Sequence, residues 1–588
     1  MGKPTWRKTG RPQEALAGGK DLPRRSEEAG RRGLIIFSAL THFRGRRFGS
    51  APAEPLLAAA VFLFVAVLAF LILPADRALA ARPNFVIIQT DDQNTATVRA
   101  RLRGRVGGFQ RVMPHSLRQI VRKGTEFRNY YATSPVCSPS RASLLSGEYP
   151  WNTGIQGNSG PDGGWTGWQN HSVYRHNLAT AMHAAGYRTA HVGKFTNGYY
   201  DQTLGRTESV VPPGWTNWFT TSYVRGTHFY GYQVNLNGFV FGPIGNPDYQ
   251  QDGPGIDPAS CSLRRITEFW PTGSCDYSGD VFTAAAVRVI RQDQNRPFFL
   301  QVDYQAPHGD VAGPRGPQPA TRNLRSAART PLPKPRGFNE RNFRDKPALI
   351  RAYAPKRMGR RDIHRLKRSY RRYIESLRSV DDGVGRILKA LRKSGKLQNT
   401  YIFLLSDHGL FLGEHRFDWG KFLPYEDSSS PFMAVRGPDV PRGSVSREVT
   451  GNIDVPVTIM RLARVRPNYR VDGRSLRAYW RHPNRRTRRA IAITIHSGQV
   501  SESSASASAH APALRYNGFR VGQYKYIQYR RGGEELYDLA VDPHELLNRI
   551  DKPRYAQVAA YMRSHLGQVV GCQGSACRVS LPKPPDPN

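Results

Sequence analysis

Residues Asn84 to Thr90 (NFVIIQT) form a largely apolar run of strand length that ends in two acids, Asp91 and Asp92. Runs of the same kind recur at Phe298 to Tyr304, Tyr401 to Ser406 and Phe432 to Val435. Continuous rather than alternating hydrophobicity predicts strands buried on both faces. Between these runs the apolar positions repeat every three or four residues, which predicts helices over Pro114 to Lys123, Leu178 to Ala185, Val281 to Arg291 and about Lys367 to Arg392. In the last, Tyr370, Ile374, Leu377, Val380, Val384, Ile387 and Leu391 make one apolar face. Strand alternating with helix predicts an α/β fold: a large, mostly parallel sheet sandwiched by helices, with ligands gathered at the C-terminal strand ends. From about residue 485 the pattern becomes short strands around a glycine turn (Arg515 to Tyr529), the run Glu535 to Leu539, and a helix near Tyr555 to Leu566. That predicts a smaller α+β C-terminal domain. Ser501 to Ala509, without periodicity, reads as a loop.

One apolar run is of another kind. Leu56 to Leu73 is 18 residues without a charge, preceded by Arg44, Arg46 and Arg47 and followed by Ala78-Leu79-Ala80. Basic flank, apolar core and small-residue site predict a signal peptide, and the length also suits a signal anchor. Positive charge lies on the N-terminal side, so under either reading everything after about residue 81 is exported. The expected division is therefore 1–81 (basic N-region plus signal), 82–484 (catalytic domain) and 485–588 (small C-terminal domain).

Charge adds a partner. Among 588 residues, 86 Lys+Arg face 45 Asp+Glu for a net +41, and residues 1–81 account for only 13 of the bases and 6 of the acids. The excess belongs to the exported part and predicts an anionic partner. No zinc-finger spacing, RNA-recognition signature or alternation of basic and aromatic residues supports nucleic acid. The segment 322–372 carries 18 Lys+Arg against 3 Asp+Glu; a solvated surface is the simpler reading, a rim that draws in a polyanion the sharper one. Aromatics at 11% supply a substantial core and exclude wholesale disorder.

Five cysteines sharpen the picture. Export permits disulfides; Cys572 and Cys577 could pair, as could Cys261 and Cys275. Cys137 is left over, either as a buried hydrophobe or as a reactive centre. Around it, Ser138 can cap a helix, Pro139 suits the first turn, and Leu144 and Leu145 bury the inner side. Cys137 is thus expected at a helix N-terminus, where an anion is favoured, with Arg141 one turn in.

The stretch Cys137-Ser138-Pro139-Ser140-Arg141, followed by Leu144-Leu145-Ser146-Gly147, resembles the signature of the type I, formylglycine-dependent sulfatases of the alkaline-phosphatase-like superfamily. The resemblance extends in order through Asp91-Asp92, Gly193-Lys194, Ala306-Pro307-His308, Ser406-Asp407-His408-Gly409, Lys421 and Glu535 to Glu545. Val211 to Trp215, Leu377 to Asp382, Gln398 to Phe403, Gly451 to Asp454 and the terminal Cys572 to Cys577 are most similar to the N-acetylglucosamine-6-sulfatase and arylsulfatase branch. Ser146, Thr196 (where many members have His) and His408 (where that branch more often has Asn) depart from the pattern.

The resemblance implies an exported hydrolase of sulfate esters, carbohydrate such as N-acetylglucosamine 6-sulfate or glycosaminoglycan, or aryl. It implies conversion of Cys137 to formylglycine by a formylglycine-generating enzyme before export. Asp91, Asp92, Asp407 and His408, with Cys137, become expected ligands of a divalent cation, Ca2+ foremost and Mg2+ next; three carboxylates are in themselves a hard-cation set. Arg141, Lys194 and Lys421 would offset sulfuryl charge, His308 would protonate the leaving alcohol, and Asn197 would touch substrate. Thr196 leaves the base for sulfate release unassigned, and His191 and His415 read as structural. Two other functions compete: a phosphonate or phosphate diester hydrolase of the same superfamily, and a non-catalytic basic glycan-binding protein. A membrane enters only if the N-terminal segment stays uncleaved.

Overall fold

The chain was studied as a computed structural model, which describes residues 82–103, 108–199, 210–222, 228–244, 276–292, 296–310, 316–496, 514–578 and 580–587. The apolar run 56–73, the pair Cys261 and Cys275, and the stretch Ser501 to Ala509 lie outside them.

Ten strands form the main sheet: β1 (Asn84–Thr90), β4 (Thr125–Tyr131), β5 (Arg188–Gly193), β6 (Asn217–Ser222), β7 (Tyr232–Leu236), β8 (Phe239–Ile244), β9 (Phe298–Asp303), β10 (Thr400–Ser406), β11 (Met433–Arg436) and β12 (Ser444–Gly451). A short ribbon of β2 (Arg101–Arg103) and β3 (Phe109–Arg111) stands apart. The strand order is β12-β4-β11-β10-β1-β9-β5-β6-β7-β8. The five central strands, β10 to β6, run parallel. Antiparallel pairings enter only toward the edges, at β11 and at β7 and β8. The parallel centre is buried on both faces, which is why its strands read as near-continuous apolar runs.

Alternate residues of β1 feed two cores. Val86 and Ile88 pack with Val281, Phe282 and Ile290 of helix α3 (Ser278–Arg291) and with Leu377, Val384 and Ile387 of α4 (Arg360–Lys393). Phe85 and Ile87 pack on the opposite face with Leu144 and Leu145 of α1 (Cys137–Ser146), Leu178 of α2 (Leu178–Ala184) and Val455 and Ile459 of α5 (Asp454–Leu462). The period of two along a strand sends neighbouring side chains to opposite sides. All seven apolar positions expected on α4 are buried. The helix begins about two turns before the expected start near Lys367, and there Asp362 accepts the N–H of Gly359 (3.1 Å) and exposed arginines carry the chain in water.

The C-terminal part is an antiparallel meander, β13 (Ala490–Ile495), β14 (Tyr516–Val521), β15 (Tyr524–Tyr529) and β16 (Glu534–Asp538), covered by α6 (Ala556–Val569). Gly522 makes the β14–β15 turn with φ +54°, a backbone that L side chains rarely adopt. The meander shares one apolar cluster with Tyr131, Tyr149, Phe411 and Tyr425. Lys525 of β15 is buried and bonds Glu426 and Glu545, each at 2.8 Å. Cys572 and Cys577 are joined as a disulfide. The basic segment 322–372 is partly structural rather than wholly solvated: Lys346 is buried on the hydroxyl of Tyr537 (2.8 Å) and the carbonyl of Glu545 (2.6 Å), and Arg322 pairs with Asp280 and Asp382. Among the described residues no helix is long and apolar enough to cross a membrane.

Candidate active site

Four adjacent parallel strands, β10, β1, β9 and β5, end side by side, and the chain delivers a charged residue at each end. Asp91 and Asp92 follow β1, Asp407 and His408 follow β10, Asp303 closes β9 and Lys194 follows β5. Lys421 comes from the loop after β10, and His308 from the turn beyond β9. Helix α1 brings Cys137 and Arg141 down onto these ends. The topology therefore gathers residues more than 300 positions apart.

Cys137 is the first residue of α1 and is a buried thiol. Ser138, expected as the cap, instead lies within the first turn, and Val136 in extended conformation holds the cap position. A valine offers no side-chain acceptor, so Asn158 supplies one, taking the N–H of Ser138 at 2.9 Å. The Ser138 hydroxyl is then free to accept from Thr196 (2.9 Å) and to donate to Asn197 Oδ1 (3.1 Å). Thr196 and Asn197 are thereby fixed against the start of α1.

The thiol sits among both signs of charge. Its Sγ lies 3.1 Å from Lys421 Nζ, 3.4 Å from His408 Nε2 and 3.9 Å from Asp91 Oδ1. Lys421 also donates to Asp92 Oδ1 (2.9 Å), and Lys194 to Asp91 Oδ2. Arg141 bonds Asp407 through Nε (3.1 Å) and reaches Asp303 (3.3 Å) and Asp91 (3.7 Å) through its terminal nitrogens. Burial alone would raise the Asp91 carboxyl, but Lys194, His308, Arg141 and Lys421 outweigh it and hold it well below the usual range. Asp407 goes the other way: burial, despite His408, raises it. Both Asp407 oxygens are already engaged, Oδ1 by the N–H groups of Asp92 and His408 and Oδ2 by Arg141.

His308 points Nε2 at Asp92 Oδ2 (3.6 Å) while its Nδ1 meets the Gly309 carbonyl (2.7 Å). The carbonyl contact assigns the proton on Nδ1. Burial works against charge on this ring, yet Asp92 and Asp91 prevail and raise its pKa. His191 lies below Lys194's strand end, bonded to Thr220 (2.6 Å) and Asp303 (3.3 Å), and burial lowers its pKa. His415 is far into another buried network with Glu340 (2.7 Å).

The expected ligands converge. Asp91, Cys137, Asp407 and His408 place one donor atom each within 4.8 Å of one another, as do Asp91, Asp92, Cys137 and His308. Two buried carboxylates in each set, Asp91 with Asp407 and Asp91 with Asp92, suit a hard divalent cation. The second set adds His308, which the sequence had offered for proton transfer only.

Three residues had no signal read from them. Asp303 anchors Arg141 and His191, and its place at the end of a buried strand was the available clue. Asn158 replaces the helix cap, and only the fold brings it there. Tyr373 of α4 donates its hydroxyl proton to the Asp92 carbonyl and accepts the N–H of Asn94 (2.7 Å). It thereby braces Asp92, whose φ of +65° is unusual for a non-glycine residue.

The sulfatase family profile matches residues 83–465, and the profile for the C-terminal region of N-sulphoglucosamine sulphohydrolase matches residues 413–571. An extracellular sulfatase SULF-1 homolog of Drosophila melanogaster is 30% identical over 414 residues, 68% of this chain and 32% of that protein, so the chain spans about a third of that relative's length. The N-acetylglucosamine-6-sulfatase of Homo sapiens is 27% identical over 523 residues, 84% of this chain and 86% of that one. A protein solved in complex with its substrate D-glucosamine-2-N,6-O-disulfate superposes with a TM-score of 0.62 at 22% identity, covering 83% of this chain and 97% of the other, which establishes a common fold. With the profile covering most of the described residues and the cysteine helix set against converging carboxylates, the chain belongs to the sulfatase family.

Proposed function

We propose that this chain hydrolyses sulfate esters of carbohydrates or aryl alcohols, with N-acetylglucosamine 6-sulfate and related glycosaminoglycan units as the first substrates to test. The observation that carries the reading is the placement of Cys137 Sγ between Lys421 and the Asp91 carboxylate at the start of a buried helix. Conversion of Cys137 to formylglycine would supply a hydrated aldehyde, one hydroxyl to attack sulfur and a second to release sulfate afterwards. A divalent cation, Ca2+ before Mg2+, held by Asp91, Asp92, Asp407 and His408 would lower the pKa of the attacking hydroxyl and draw charge from a sulfate oxygen.

The chain's own residues account for the rest. Arg141, Lys194 and Lys421 are buried and bring fixed positive charge into the site, where it offsets the charge developing on the sulfuryl oxygens. Arg141 is pinned by Asp407 and Asp303 and does not need to reorganise. His308, with its pKa raised, keeps a proton to give to the leaving alcohol. Asp407 positions Arg141 and, raised by burial, is better suited than Asp91, which Lys194 and Arg141 hold ionised, to receive the nucleophile's proton. Asn197, held to the helix start, faces substrate.

The reading includes residues 82–484 as catalytic domain and 485–588 as a C-terminal domain, export after a signal in 1–81, and prior modification by a formylglycine-generating enzyme. Nucleic acid is not a partner in it.

Mass spectrometry of the tryptic peptide Asn129 to Arg141 from the native host tests the modification: an aldehyde at Cys137 supports it, and wholly unmodified thiol overturns it. Parallel assays on sulfate and phosphate esters test the chemistry. Phosphodiester turnover above that of every sulfate ester would replace this function with the phosphonate or phosphate diester reading.

A further inference from the structure

A second anion-binding feature lies away from the Cys137 cluster. Arg461, Arg474, Arg477, Arg481, Arg485 and Arg578 line a groove of about 630 Å³ in which no described lining residue is acidic. The nearby carboxylates are occupied: Asp439 pairs with Arg477 (2.8 Å) and Arg481 (3.1 Å), Glu448 with Thr487. Arg578 is the most telling member. One terminal nitrogen reaches the Val471 carbonyl, while its buried Nε has no hydrogen-bond partner. Burial, then Arg461 and Arg474, weaken its hold on its proton. Six like charges thus stand against two carboxylates, Asp439 on Arg477 and Arg481 and Asp472 toward Arg578, an excess that an external oxyanion relieves.

Two routes through the fold separate this groove from the catalytic cluster. Asp439, beside Arg477 and Arg481, accepts the Tyr401 hydroxyl (2.7 Å) near the start of β10, whereas Asp407 follows the end of that strand. Five strand residues span roughly 16 Å. Gly473 and Asp472 bond the Gly147 carbonyl at the far end of α1, whose first residue is Cys137. Ten helical residues span about 15 Å.

We propose that this groove is a separate binding site for the sulfate groups of a sulfated polysaccharide. Guanidinium forks pair with sulfate oxygens two at a time, as they do with phosphate. The volume falls in the range of ordinary ligand pockets, roughly 300–1,000 Å³. Tyr479, which lines the groove, is buried, and His482 is the one exposed ring among the described lining residues, fewer than the successive aromatic platforms single-stranded nucleic acid uses. The choice of sulfate over phosphate rests on the proposed function; the groove itself does not. Its role is retention of an anionic polymer whose ester groups are processed elsewhere on the protein.

The test compares the full chain with Arg461→Ala/Arg474→Ala/Arg485→Ala and with a charge-matched control, Arg357→Ala/Arg360→Ala/Arg361→Ala, all at exposed or half-exposed positions. Binding of a size-defined heparin hexasaccharide is measured calorimetrically at physiological salt, with turnover of a small aryl sulfate alongside. The groove variant is expected to bind about tenfold more weakly, the control less than about threefold, with small-ester turnover unchanged in both. Equal losses in both variants, or no loss in the groove variant, overturn the proposal. Inorganic sulfate that competes as well, residue for residue, would make the groove a site for the free anion, and a single-stranded DNA of equal charge that competes equally would make it a general polyanion surface; either overturns it. Binding needs no turnover, so failure of the sulfatase reading shows in the ester assay and leaves the binding result legible.

Discussion

Lys421 Nζ stands 3.1 Å from Cys137 Sγ and bridges it to the Asp92 carboxylate at 2.9 Å. One ammonium is thus shared between the cysteine and the Asp92 carboxylate, although 284 positions separate it from the cysteine. Lys421→Met keeps the stem and removes the charge. Its turnover of a small aryl sulfate is expected to fall by about 10²- to 10³-fold, mainly in kcat, because the charge matters most as the sulfuryl group develops negative charge. An unchanged kcat with a raised KM would restrict Lys421 to binding.

Removal of divalent cations tests the carboxylate cluster independently of turnover. A cation held by Asp91, Asp92, Asp407 and His408, as in the proposed function, would bind the folded chain and not the unfolded one, so chelation is expected to lower Tm and abolish activity, and Ca2+ to restore both. At a hundredfold excess over Kd the linkage is worth about 2.7 kcal/mol. Asp92→Asn should lose most of that Ca2+-dependent rise in Tm. Equal Tm with and without Ca2+ in the unsubstituted chain would remove the ion from the site.

Glu148 makes the stability depend on pH far from the chemistry. Burial, with Asp472 adding repulsion, pushes its carboxyl up to about 8 from the usual 4.5. The folded chain therefore holds a proton that the unfolded chain releases first. This contribution is fully present below pH 4.5 and is lost as pH rises toward 8, by on the order of 3–5 kcal/mol if nothing relaxes. Glu148→Gln should raise Tm at pH 8 to 9 and match the parent below about pH 4.5. A Tm difference that does not vary with pH would locate the effect elsewhere.

Lys525 tests how the C-terminal meander is held. It is buried between Glu426 of the loop that carries Lys421 and Glu545, at 2.8 Å from each. Lys525→Met leaves the buried Glu545 carboxylate without its ammonium, while the partly exposed Glu426 keeps Tyr131 and Arg520, and is expected to cost about 3–5 kcal/mol. Replacing Glu426 and Glu545 with Gln in the same chain should recover part of that cost, since fewer charges are then left without a partner. Denaturant unfolding measures both; a loss below about 1 kcal/mol would mean that water reaches the cluster.

Periodicity along the chain was enough for β1, β9 and β10 of the parallel core and for α4, since strands buried on both faces and a helix with one apolar stripe leave patterns that need no partner to be read. By contrast β5 and β6, broken by polar residues, left no such run. The residues at the site were legible through local motifs: acids after a strand, a cysteine before a helix, an arginine one turn on. Which of them meet was decided by strand order, because β10, β1, β9 and β5 are neighbours in the sheet and scattered in the chain. The same holds for Asn158 in place of a serine cap, for Asp303 behind Arg141, and for Tyr373 bracing Asp92, each a contact between distant segments that carries no local signature. The net positive charge was visible as a number. Its concentration into a six-arginine groove came from packing α5, the 473–485 segment and the C-terminal turn together, which sequence spacing alone does not encode.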